Sequence, residues 1–131
     1  MTRATITHLV YGGTRQAREQ AISAQALNAA PGMTLAAIVE GLALPGAALE
    51  SSGSLKVIRI APACPCCTGS LTMSVTLNRV LRKSPAVLFL GLSDASHLAS
   101  IRRFLQQEQY CGRLQLGSDV DCEPASQSQA G

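Results

Sequence analysis

Along this chain, short runs of aliphatic and β-branched residues alternate with stretches whose apolar positions recur every three or four residues. Thr5-Ile6-Thr7-His8-Leu9-Val10-Tyr11 reads as a strand stopped by the Gly12-Gly13 turn. Thr14 is then placed to cap a helix running to about Asn28, with Ala17, Ala21, Ala24 and Leu27 on one face, and Pro31-Gly32 ends it. Thr34 to Val39 and Leu55 to Ile60 predict two further strands, the second with clear two-residue alternation. From Gly69 to Lys83 the period is helical again, with Met73, Leu77, Val80 and Leu81 as the stripe, Arg82-Lys83 complementing the C-terminal dipole, and Ser84-Pro85 as the stop. Ala86 to Leu90 has no polar interruption, as expected of a strand covered on both faces. A last helix starting at Ser93 or Asp94 and ending near Gln107, and an edge strand within Tyr110 to Leu116, complete the pattern. Strands alternating with helices predict a three-layer α/β/α sandwich with a mainly parallel sheet; no internal repeat is visible.

The 131 residues suffice for one domain with a buried core. With 47% hydrophobic and 15% charged residues, the composition is too apolar for a disordered chain and too weakly charged for a coiled coil or a nucleic-acid arm. After Gly117 it shifts to Ser, Gln, Ala, Gly and acidic residues, so the expected layout is a domain over 1–117 and a disordered tail over 118–131. The longest apolar stretch, Pro85 to Leu92, is far short of the ~20 residues of a spanning helix, and Met1 to His8 lacks the apolar core of a secretory signal. No membrane partner is expected, and the cytoplasm is the default location.

All eleven basic residues precede Ser118, so residues 1–117 carry eleven positive and five negative charges, a net of +6. Only four aromatic residues accompany them, which gives little for base stacking and does not favour nucleic acid. Arg79, Arg82, Lys83, Arg102 and Arg103 read as solvated helix surface, and His8 as a packed or edge residue of its strand. His97 falls near the start of the last helix, and Cys111 and Cys122 read as incidental thiols.

The densest chemistry is Ala63-Cys64-Pro65-Cys66-Cys67, three thiols within four residues. Without an export signal such density points to metal binding or thiol chemistry before structural disulfides. Pro65 pre-sets a tight turn, so that Cys64 with Cys66 or Cys67 can converge on one soft ion, zinc before others. The cluster lies between a predicted strand and a predicted helix, hence at the carboxyl edge of the sheet, where open α/β folds bind ligands; a helix start nearby favours thiolates. Burial as small hydrophobes is the competing reading.

With those residues in view, the chain resembles the CobW-type metallochaperone GTPases, P-loop proteins with a Gly-Cys-x-Cys-Cys motif between a strand and a helix. Cys64-Pro65-Cys66-Cys67 is similar to that motif, with Ala63 in place of the Gly. Ala37-Ile38-Val39-Glu40-Gly41 resembles the family's strand ending in Asn-Glu-Phe-Gly, and Val87 to Asp94 the strand and loop of its Glu-x-x-Gly motif. The ordered set spans about residues 5–106. The resemblance implies a P-loop-NTPase-like fold, a metal site of Cys64, Cys66, Cys67 and Glu40, and a phosphate loop at Gly12, Gly13 and Arg18. The departures lie in that loop. Gly12-Gly13-Thr14-Arg15-Gln16-Ala17-Arg18-Glu19 stands where Gly-x-x-x-x-Gly-Lys-Ser/Thr would be, with Ala17 for Gly, Arg18 for Lys, and Glu19 for the magnesium-binding hydroxyl. Leu90 takes the later acidic position; Asn-Lys-x-Asp and the family's C-terminal domain are missing. The expectation is a truncated, degenerate relative that binds zinc as an accessory or metallochaperone-like protein with a client partner, with GTP and magnesium doubtful and no enzymatic activity of its own. A residual GTP-binding protein or GTPase, and an interaction module that has lost both sites, remain as alternatives.

Overall fold

A computed structural model describes residues 4–28, 32–40, 55–60, 69–92, 98–107, 110 and 112–122. The elements are β1 (Thr5–Tyr11), α1 (Arg15–Leu27), β2 (Leu35–Glu40), β3 (Leu55–Ile60), α2 (Gly69–Leu81), β4 (Val87–Gly91), α3 (Leu98–Leu105), β5 (Leu114–Leu116) and β6 (Val120–Asp121). The strand order is β3-β2-β4-β1-β5, with β6 also on β1, and each of these pairings is parallel. The α/β class and the mainly parallel sheet are therefore as the alternation predicts.

The two-residue period of the strands sorts their side chains into two cores. Leu9, Ala36, Ile38, Leu88 and Leu90 pack with Leu77, Val80 and Leu81 of α2 and Ile101 and Leu105 of α3. Their sequence neighbours Val10, Ala37, Val39 and Phe89 pack on the opposite side with Ile22 of α1. Helices thus cover both faces, which is why β4 carries an unbroken apolar run. Tyr110, fully buried, belongs to the first core and meets Phe104 edge-on at 5.4 Å. It is a core plug ahead of β5, and the edge strand is shorter than the Tyr110 to Leu116 span that its sequence suggests.

α1 begins where its chemistry dictates. Thr14 is extended at φ −87°, ψ 163°, and its hydroxyl accepts from the Ala17 amide at 3.0 Å, satisfying one of the helix's orphan donors. Asn28 closes the other end, its amide donating to the Ala24 and Gln25 carbonyls at 3.2 Å.

The C-terminal boundary differs from the compositional one. Residues 118–122, assigned to the tail by composition, continue along β1: Val120 pairs with Val10 and Asp121 with Tyr11. Gly117 donates to the Thr7 carbonyl and Cys122 to the Tyr11 carbonyl, each at 2.8 Å. A polar sequence can hold this place because the segment borders the sheet and is half exposed there. Residues 123–131 lie outside the described residues. Among the described residues no helix is long and apolar enough to cross a membrane.

Candidate functional site

In a parallel sheet the carboxyl ends of the strands share one edge, and here Tyr11, Glu40, Ile60 and Gly91 mark it. β1 and β4 are neighbours, yet the chain leaves β1 for α1 on one face and next enters α3 on the other face after β4. The carboxyl edge between two such strands is the topological switch point at which open α/β sheets hold ligands.

On the β1 side of that crevice lies the Gly12-Gly13 turn. Both glycines have positive φ, 81° and 63°, a pair of conformations that costs side-chain-bearing residues energy. Arg18, one turn into α1 and only 7% exposed, folds back over the turn. Its Nη1 donates to the carbonyls of Gly12 at 3.2 Å and Gly13 at 3.0 Å. The guanidinium thus neutralises carbonyl oxygens of the turn, whereas a phosphate cradle presents amides and a free cation. The three residues expected to hold phosphate are brought together, and within the chain they bind one another.

Glu19, next in sequence, is 5% exposed. Arg59 of β3 shares its strand face with Leu55 and Val57, which pack into the α1-side core, and so points toward α1. Its Nη1 and Nη2 donate to Glu19 Oε2 and Oε1 at 2.9 and 3.1 Å, a bidentate pair, while Arg15 Nε lies 3.8 Å from Oε2. Glu19 is therefore a tie between α1 and the edge strand. Sequence reasoning missed Arg59, whose partner stands 40 positions away.

Cys122 presses its main chain on Gly13: a Cβ at Gly13 would overlap the Cys122 carbonyl. Burial pushes the Cys122 thiol pKa up, the Arg18 guanidinium nearby pulls it down, and Asp121 adds to the rise. His8 stacks on Phe89 at 5.7 Å, and its Nδ1–H donates to the Ser118 carbonyl at 2.8 Å. It is a packed strand residue, and Arg102 of α3 pairs with Asp119.

On the other side of the crevice, Glu40 ends β2 in register with Ile60, the last residue of β3. Cys64, Cys66 and Cys67, with His97 and Cys111, lie outside the described residues. Among the described residues no group of three or more His, Cys, Asp or Glu side chains could hold a metal ion. Leu90, at the position where the resemblance expects an acid, is fully buried in the core, where an uncompensated carboxylate would be costly.

Comparison with protein-family models, with curated proteins and with solved structures gave no match.

Proposed function

We propose that this chain binds a transition metal, zinc first, at the carboxyl edge of its sheet through Cys64, Cys66, Cys67 and Glu40, and serves as an accessory or metallochaperone-like protein for a client. The observation that carries this reading is the register of β2 on β3, which sets Glu40 beside Ile60. Adjacent strands are ~4.8 Å apart. The cysteine segment departs from Ile60, and Cys64, four residues on, is within ~14 Å of it by chain length alone. Chain connectivity thus bounds how far Cys64 can lie from the end of β2 that carries Glu40. Three soft thiolates with one carboxylate suit tetrahedral zinc and disfavour calcium or magnesium, which take oxygen ligands. Thiols kept free for a metal imply a reducing compartment, in keeping with a cytoplasmic setting. In this reading the Gly12-Gly13 turn is a degenerate nucleotide site whose Arg18 has become structural.

The test is cobalt titration of the reduced protein. Thiolate-to-cobalt charge-transfer absorption saturating at about one ion per chain, and displaced by zinc, is expected. If the band is missing, or persists in a Cys64→Ser, Cys66→Ser double variant, the reading fails.

A further inference from the structure

The segment from Gly117 to Cys122 touches three parts of the fold at once. Along β1 it is held by the Gly117 and Cys122 amides, by the His8 imidazole on Ser118, and by the two-residue pairing of β6. Toward α3 it is held by the ion pair of Asp119 with Arg102. At its end, the Cys122 main chain rests on Gly13, above the turn that Arg18 braces.

Glycines make both ends fit. At the near end, a Cβ on Gly117 would lie 2.6 Å from His8 Cε1; at the far end, a Cβ on Gly13 would overlap the Cys122 carbonyl. Close seating at two points separates this segment from a chain end resting loosely on a surface. Yet few buried apolar contacts hold it down. Ser118 and Asp121 are exposed, the other four residues are half-buried, and only Val120 and Cys122 lean on the α1-side core. The ion pair is itself partly exposed, the Arg102 side chain at 43% and Asp119 at 24%, and such pairs contribute modestly. A close fit with few buried contacts is the profile of a unit that opens below the free energy of global unfolding.

We propose that residues 117–122 form a strap that closes over the β1–α1 turn and opens as a unit, hinged after Leu116, with β6 leaving β1 while the other five strands stay paired. When closed it covers Gly13 at the switch point with the Cys122 main chain; when open it uncovers Gly13 and the outer edge of β1 from His8 to Tyr11. Access to that side of the crevice is then set by the strap.

Cys122 reports on the strap directly. Arg113 is the last basic residue of the chain, so trypsin releases residues 114–131 as one peptide in which Cys122 is the only cysteine. The full-length reduced protein is pulsed with iodoacetamide over a range of sub-denaturing urea, and alkylation of that peptide is read by mass spectrometry. Alkylation slower than that of the isolated peptide, and nearly independent of urea, is the expected result, because opening a short strap exposes little surface. Asp119→Asn is expected to speed alkylation about two- to fivefold, the worth of one partly exposed ion pair, with the urea midpoint of global unfolding little changed. Val120→Ala, which trims the anchor on the core, should act in the same direction. The strap is refuted if alkylation rises with urea in step with global unfolding, if it matches the isolated peptide, or if neither variant speeds it.

Discussion

Arg59 on the edge strand β3 and Glu19 on α1, 40 residues apart in sequence, meet as a bidentate pair at 2.9 and 3.1 Å, with side chains only 15% and 6% exposed. A pair so shielded is expensive to break and cheap to replace. Glu19→Gln removes the carboxylate that faces the Arg59 guanidinium and is expected to cost on the order of 3 kcal/mol in urea denaturation. The double variant Glu19→Met, Arg59→Met should cost clearly less than that. A single variant within ~0.5 kcal/mol of the parent would mean that the pair is effectively solvated.

Gly13→Ala and Gly32→Ala make a matched comparison. Both glycines have positive φ, 63° and 88°, so each substitution should cost roughly 1 kcal/mol for backbone strain alone. At Gly32 a new methyl would meet nothing within 4 Å, whereas at Gly13 it would strike Cys122. Gly13→Ala is therefore expected to be the more destabilising and, unlike Gly32→Ala, to accelerate Cys122 alkylation. Equal effects on both measurements would show that the strap yields freely.

The proposed metal site predicts a contrast between two acids. Glu40→Gln should weaken zinc affinity by well over the ~10-fold typical of mild outer-shell changes, measured by competition with a chelating dye. Glu50→Gln, nearby in sequence, should leave it unchanged. An equal loss in both would report only general negative charge.

Nucleotide should bind weakly or undetectably. Arg18 already serves two carbonyls, Glu19 is committed to Arg59, and Ala17 takes a position that the phosphate loop reserves for glycine. Calorimetry with GTP or ATP and magnesium should show no binding heat at ordinary protein concentrations. Micromolar affinity would mean that the turn amides suffice without a free cation.

Cys122 also sets a direction with pH. Burial holds its thiol pKa above the ordinary value. The folded state therefore keeps the proton to higher pH than the unfolded chain does, and the associated stability is full below the unfolded thiol's pKa and declines as pH rises beyond it. Alkylation of Cys122 against pH should accordingly have a higher midpoint in the folded protein than in the isolated 114–131 peptide. Coincident midpoints would contradict the burial.

Elements whose signal is local were legible in the residues. The Thr14 cap, the strand limits of Thr5–Tyr11 and Leu55–Ile60 and the start of α2 at Gly69 follow from neighbours within a few positions. β6 was not legible. Ser-Asp-Val-Asp-Cys has neither apolar alternation nor length, and its pairing comes from a parallel partner about 110 residues earlier. The site divides the same way. Gly12, Gly13 and Arg18 do assemble, but their mutual hydrogen bonds depend on how a side chain folds back, which spacing alone does not encode. The Glu19–Arg59 pair needs the sheet order itself, because only with β3 beside β2, one of the strands that α1 lies over, can an edge-strand guanidinium reach that helix.

The strand order also governs how this chain can be made. β1 is the first strand in sequence, yet its pairing partners, β4, β5 and β6, all begin at Val87 or later. β2 and β3, by contrast, pair with each other. During synthesis a β2–β3 ribbon can form while Thr5–Tyr11 still has no strand to lie against, and the central strand is inserted only when the last third of the polypeptide emerges. A nascent chain stalled before Val87 would leave β1 and one edge of β2 unpaired and open to any chaperone that binds extended segments, and emergence of β4, more than local helix formation, would time assembly of the sheet.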